Sequence, residues 1–253
     1  MSFQPVLVED FEKYDKGTSY GEWEVDESTL NDDIGGSGTK YIIPKHDGAM
    51  IRYAITVSDK VKVKLKLDTQ INEWSGDQPQ SGVTVRLVTI SGHKIDVVLS
   101  MLYDTGTGEC IWIVKVYIDD EFKESRSLMY REKITVDTTE MYPYGLFEIT
   151  FLGTEIQVNF TEMKTNRKAE AIGLPAYKDA IAEIDIIEWH NDQVLAYGTM
   201  VDDIEIDTTT QTQVIQTTKA MTDLMIAMLY VSIIIVVISM TINLLTRLIR
   251  IEW

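Results

Sequence analysis

Residues 61–67 read Val61-Lys62-Val63-Lys64-Leu65-Lys66-Leu67, with an apolar side chain at every odd position and a lysine at every even one. Successive side chains of an extended strand point to opposite faces, so this period of two puts valine and leucine on a buried face and lysine on a wet one. Working outward, the residues at 49–57, 83–90, 94–99, 110–118, 133–136, 146–152, 155–160, 183–189 and 201–206 also read as strands. Turn signals separate them at Ser91-Gly92, Thr105-Gly106-Thr107-Gly108, Asp119-Asp120 and Gly153-Thr154. Residues 31–38 and 72–82 read as loops, and 169–182 as a short helix broken by Pro175. Many short strands at this spacing imply two antiparallel sheets stacked as a sandwich over residues 1–207.

The chain of 253 residues carries a formal net charge of −17, which excludes nucleic acid as a partner of the β domain and excludes a polybasic hold on anionic lipid. With one cysteine, Cys110, no intrachain disulfide forms, and the fold rests on packing. Cys110 sits in the apolar run Cys110-Ile111-Trp112-Ile113-Val114, the setting of a small buried residue rather than of a reactive thiol. The N-terminal residues 1–15 lack the basic and apolar regions of a secretory signal.

At the other end, residues 224–246 run without a charged side chain between Asp223 and Arg247. A helix rises about 1.5 Å per residue, so such a stretch spans the roughly 30 Å hydrocarbon core of a bilayer. The expectation is one long C-terminal transmembrane helix at 223–247, with a short tail at 248–253. Arg247 and Arg250 favour a cytoplasmic tail, whereas the missing signal favours a cytoplasmic domain. A virus with an internal membrane would reconcile the two, its domain facing the capsid shell. Residues 208–222 are polar and rich in Thr and Gln, and read as a flexible stalk or as a helix. The helical reading comes from spacing: Val214, Thr218, Met221, Met225, Met228, Ser232, Ile235 and Ser239 recur at alternating steps of four and three. Ser232, Ser239, Asn243 and Thr246 share one helical face, where small and hydrogen-bonding side chains favour association of copies in lipid.

Two patterns in the β domain resemble known families. Val8-Glu9-Asp10-Phe11-Glu12 near the start and Val201-Asp202-Asp203-Ile204-Glu205-Ile206 at the end, with Trp23 and Tyr117-Ile118-Asp119-Asp120, resemble jelly-roll modules of the concanavalin A-like, laminin G-like and carbohydrate-binding kinds. That resemblance implies a two-sheet antiparallel jelly roll whose terminal strands pair, and a structural calcium held by Glu12, Asp202 and Asp203. Calcium takes six to eight oxygens, so backbone carbonyls would complete the shell.

The stretch Glu183-Ile184-Asp185-Ile186-Ile187-Glu188-Trp189 resembles the Glu-x-Asp-x-x-Glu signature of family 16 glycoside hydrolases, which also use a jelly roll. The resemblance implies Glu183 as nucleophile, Asp185 as its modulator and Glu188 as acid/base. A bulge at Ile186-Ile187 would bring Glu188 to the face of the other two, and retaining chemistry needs the two glutamates about 5–5.5 Å apart. Against it, only a short segment separates the motif from the final strand, and acids alternate with isoleucine again at residues 203–207.

For glycan stacking, Trp74, Tyr142 and Tyr144 are the candidates, with Pro143 holding the tyrosines in a turn. His46, His93 and His190 are dispersed and indicate no zinc site. The chain therefore reads as a non-enzymatic, membrane-anchored structural or recognition protein of a virion shell or prokaryotic envelope. Its expected partners are the bilayer, its own copies, and neighbouring surface or capsid proteins or glycans. An anchored glycosidase using Glu183 and Glu188, or a non-catalytic glycan-binding adhesin, is the alternative.

Overall fold

The computed structural model describes residues 3–27, 40–69, 79–104, 109–133, 145–163, 166–190 and 199–209. The chain divides into two compact units, Met1–Thr210 and Gln211–Trp253. The second unit, with the expected membrane helix and the association residues Met221, Met225, Met228, Ser232, Ser239, Asn243 and Thr246, lies outside the described residues. Among the described residues no helix is long and apolar enough to cross a membrane.

The described part of the first unit is all β. Its strands are β1 (Phe3–Glu9), β2 (Ser19–Tyr20), β3 (Trp23–Glu27), β4 (Lys40–Pro44), β5 (Met50–Ser58), β6 (Val61–Thr69), β7 (Pro79–Thr89) and β8 (Lys94–Asp104). After them come β9 (Glu109–Ile118), β10 (Glu121–Lys133), β11 (Gly145–Phe151), β12 (Glu155–Glu162), β13 (Lys168–Pro175), β14 (Ile181–His190) and β15 (Thr199–Thr209). They form a nine-stranded sheet in the order β13-β12-β11-β6-β15-β4-β3-β2, with β1 also on β15, and a six-stranded sheet in the order β10-β9-β8-β7-β14-β5. The ladders between neighbours are antiparallel.

The alternation in β6 is realised as read. Val61, Val63, Leu65 and Leu67 are buried against the opposite sheet, whose β7, β8, β9 and β14 contribute Val83, Val85, Leu99, Trp112, Val114, Ile184 and Ile186 to the same core. Trp112 spans the interface, edge-on to Phe147 at 4.9 Å between ring centroids. On the outer face Lys62 reaches Glu148 at 3.3 Å, and Lys64 reaches Glu205 at 2.8 Å and Asp207 at 3.6 Å. Lys66 pairs with Asp203. The acids of β15 and β11 thus neutralise the lysines of the strand between them.

Several boundaries differ from expectation, each for a physical reason. Residues 168–175 form an edge strand instead of a helix, because Ala171 and Leu174 have a sheet face to bury against β12, and Pro175 ends it where no donor is needed. The long β10 was not expected, since its polar run buries only Leu128 among its described side chains, the composition of a charged edge. Only its last residue coincides with the strand expected at 133–136. The first strand stops at Glu9, and Phe11 leaves it at φ 59° to plug the core. Of the loop expected at 72–82, the last residues belong to β7, and β15 runs on to Thr209, into the expected stalk. Asp119 and Asp120, at φ 51° and 66°, make the two-residue hairpin turn between β9 and β10.

Gly82 of β7 faces Ser100 of β8, and a Cβ built there would collide with the carbonyl oxygen of Leu99. Backbone in mid-sheet has nowhere to retreat. Gly82→Ala is expected to cost on the order of 3 kcal/mol, read by urea unfolding, whereas Gly92→Ala in the β7–β8 turn should cost about 1 kcal/mol. Equal effects would contradict this packing.

Candidate functional site

The face on which each acid of β14 lies decides what the strand can do. From Glu183 to His190 its register with β7 is unbroken, and the only irregularity falls between Ile181 and Glu183. No bulge occurs at Ile186-Ile187, so strict alternation continues to Glu188. Glu183 and Asp185 point outward, while Ile184, Ile186 and Glu188 point inward, Glu188 lying opposite the core residue Val83. Glu188 is 2% exposed and accepts a hydrogen bond from the Gly48 amide at 3.2 Å. The expected triad is therefore divided: Glu183 and Asp185 come together, and Glu188 does not join them.

Asp185 is also engaged. The Arg52 guanidinium donates to both of its carboxylate oxygens, at 2.9 and 3.1 Å, and contacts Glu183 at 3.0 Å. Next in register, Arg86 of β7 donates to both oxygens of Asp96 of β8, at 2.7 and 2.8 Å. Arg52, Asp185, Arg86, Asp96 and Tyr117 are thus successive members of one row across β5, β14, β7, β8 and β9. Charges of alternating sign, bidentately paired, make this row stable although Asp185 is only 1% exposed. The hydrogen bond from Arg86 to Asp96 raises the pKa of the guanidinium, and the charge of Asp185 adds to it.

Beside the row is a depression of about 350 Å³ lined by Thr84, Asp96, Ser100, Lys115, Tyr117 and Asp120. Of these residues only Tyr117 and Asp120 stood out in the sequence, as part of a strand and turn and not as a site. Their signal was the polar set Asp96 and Ser100 alternating with Ile95, Val97, Leu99 and Met101 in β8, which marks a small-residue outer face.

The acids expected to hold calcium are placed differently. Among the described residues no group of three or more His, Cys, Asp or Glu side chains gathers as a metal site. The Lys66 ammonium pairs with Asp203, and the Glu12 carboxylate accepts from the Lys40 backbone amide at 2.9 Å, while the Lys40 ammonium donates to the carbonyl oxygens of Glu12 and Tyr14 at 3.2 and 2.6 Å. Asp203 sits at φ 46° in a bulge where β15 shifts register against β6. Asp202, opposite Lys66, is 2% exposed, and its Oδ1 has no hydrogen-bond partner among the described residues. Burial, with the charges of Asp203 and Glu12, pushes its carboxyl up to about 7. Trp74, Tyr142 and Tyr144 lie outside the described residues. His93 pairs its Nδ1 with Asp119 at 2.7 Å and stacks on Tyr177, serving a turn.

No protein-family model and no curated protein matches this sequence. Among solved structures, the CBM2 module of the evolved Dit of Lactobacillus casei BL23 phage J-1 matches with a TM-score of 0.50 and 8% identity, over 81% of this chain and 95% of that one. A β-glucanase of Bacillus licheniformis matches with a TM-score of 0.40 and 11% identity, over 80% and 97% of the two chains. Lectin II of Ulex europaeus matches with a TM-score of 0.41 and 8% identity, over 81% and 100%. At such identities likeness speaks to fold alone: the described part of the domain is an all-β sandwich of two antiparallel sheets, similar in fold to that carbohydrate-binding module.

Two outcomes test this electrostatic arrangement. Arg86→Ala would leave Asp96 unpaired and is expected to cost about 2–3 kcal/mol in chemical unfolding, part of which Asp96→Asn in the same chain restores. A raised folded-state pKa at Asp202 means the folded chain holds that proton more tightly than the unfolded chain, whose value is near 3.8. Stability therefore falls as pH rises from about 4 to about 7, and the full cost of the charged carboxylate is felt above 7. Asp202→Asn should stabilise the domain by on the order of 3 kcal/mol at pH 8 and by nothing near pH 4, as followed by thermal melting. A pH-independent difference would contradict the assignment.

Proposed function

We propose that this protein is a membrane-anchored structural or recognition protein, presenting its jelly roll to neighbouring proteins or glycans on a virion shell or prokaryotic envelope. The observation that carries the reading is the uncharged run 224–246, long enough as a helix to cross a bilayer and separated in sequence from the β domain by a short polar segment. The seam from Val214 to Ser239, with Ser232, Asn243 and Thr246, would gather copies in the membrane. The stalk then sets the height at which the sandwich is displayed.

Contact rather than catalysis is supported by the division of the β14 acids. A retaining glycosidase needs a nucleophile and an acid/base in one cleft, and Glu183 and Glu188 leave opposite faces of the strand. Asp185, the expected modulator, is neutralised by Arg52. The alternative reading, a glycan-binding adhesin, shares the tether and the absence of turnover.

Flotation of the full-length chain with phosphatidylcholine vesicles tests the anchor. The wild type is expected in the lipid fraction and resistant to alkaline carbonate, and the paired substitution Ile234→Lys and Val237→Asp should release it. A wild-type chain that stays in the dense fraction would overturn the proposal. In parallel, the anchored protein is expected to leave barley β-glucan intact; reducing-end release abolished by both Glu183→Gln and Glu188→Gln would establish the enzyme instead.

A further inference from the structure

The depression on the outer face of the six-stranded sheet has the features of a built site. Its floor is low because the side chains there are short. Gly82 and Thr84 of β7 lie opposite Ser100 and Val98 of β8. Taller groups rise beside this floor: the Arg86–Asp96 pair, Lys115 and Tyr117 of β9, and Asp120 from the β9–β10 turn. The volume of about 350 Å³ lies at the small end of small-molecule sites, which run from roughly 300 to 1,000 Å³.

Ser100 supplies the second, independent observation. It is 1% exposed, lines the depression, and its Oγ has no hydrogen-bond partner among the described residues. A buried hydroxyl left unpaired is costly, so one at the floor of a pocket marks a place where a ligand or its bridging water completes the bonding. Phe122 of β10 adds a third. It is one of the few large apolar side chains left exposed among the described residues, and it meets Tyr117 edge-on at 5.6 Å, which fixes the tyrosine ring and extends an apolar rim along the same row of the sheet.

The lining also selects a chemical class. Of the charged lining residues, Asp96 is paired with Arg86 beside the depression and Lys115 offsets Asp120, so no excess of positive charge faces a ligand, and the chain's −17 opposes any anionic one. Carboxylates that accept, an ammonium that donates, and hydroxyls that do both answer a ligand bearing several hydroxyl groups. The Tyr117 ring answers the apolar face of a ring-shaped one.

We propose that this depression binds a neutral glycan, seating one pyranose ring over Ser100 between Lys115 and Tyr117, with the chain running along the sheet toward Phe122. The inference rests on the contact-based reading above and gives that reading a ligand class.

Isothermal titration of the full-length protein in detergent tests it, with cellohexaose, laminarihexaose, maltohexaose and mannohexaose as neutral probes and tetragalacturonate as the acidic one. At least one neutral hexasaccharide should bind, and tetragalacturonate should not. Tyr117→Ala and Ser100→Leu are each expected to weaken binding at least ten-fold while the melting transition stays cooperative. Lys115→Met, on the exposed side, serves where Ser100→Leu does not fold, and should weaken binding about five-fold. Absence of binding by all neutral probes at millimolar concentration, binding of the acidic probe alone, or binding unchanged by these substitutions would overturn the proposal. Vesicle flotation separates the two readings: retained flotation without glycan binding removes this site and leaves the anchored role standing.

Discussion

A side chain on a β-strand has only two directions open to it, and that restriction organises the whole domain. In β6 it sends Val61, Val63, Leu65 and Leu67 into the core and Lys62, Lys64 and Lys66 out. In β8 it buries Ile95, Val97, Leu99 and Met101 and turns Asp96, Val98 and Ser100 outward. In β14 the same period carries Ile184, Ile186 and Glu188 inward and leaves Glu183 and Asp185 outside. One rule thus builds the core, shapes the outer pocket and divides the acids. A single inserted residue at Ile186-Ile187 would have reversed the last outcome.

The strongly acidic composition acquires a structural meaning on the two outer faces. On the nine-stranded sheet, acids of β15 and β11 flank the lysines of β6, so that the motif Asp203-Ile204-Glu205-Ile206-Asp207 is the counterpart of VKVKLKL in the neighbouring strand. On the six-stranded sheet, Asp185 and Asp96 alternate with Arg52 and Arg86. The partly exposed lysine pairs set register more than they stabilise the fold, because such ion pairs are individually weak, whereas the buried Asp185 and Asp96 would be costly to leave unpaired. Asp202 departs from the pattern. Beside the bulge lies a buried carboxylate with an oxygen unpaired among the described residues, and burial raises its pKa so that its proton makes stability depend on pH.

What was legible in the sequence follows from the same rule. β6, β8, β9, β11, β12 and β14 alternate visibly in sequence, and β15 does so over Asp203–Asp207, so the sandwich could be read from the chain. The edge strands β10 and β13 bury little and carry no such alternation; a polar edge looks like a loop, and an alanine-rich one with a proline looks like a short helix. Glu12, Asp202 and Asp203 were expected as a calcium set from the jelly-roll resemblance, whereas the Lys66 ammonium pairs with Asp203 and the Lys40 backbone amide donates to Glu12. The pocket was invisible as a group because its residues lie on β7, β8, β9 and the β9–β10 turn, brought together by register alone. Glu183 to Glu188 matched a motif in spacing while lacking the bulge on which that motif's geometry depends.

The most direct measurement is the reactivity of thiols placed at the two disputed positions. In a Cys110→Ala background, Glu183→Cys and Glu188→Cys are each treated with a methanethiosulfonate reagent under native conditions. A strand without a bulge predicts rapid labelling at position 183 and protection at position 188 until the domain unfolds. Rapid native labelling at both would place the two side chains on one accessible face, and the account of β14, with the contact-based role built on it, would be wrong.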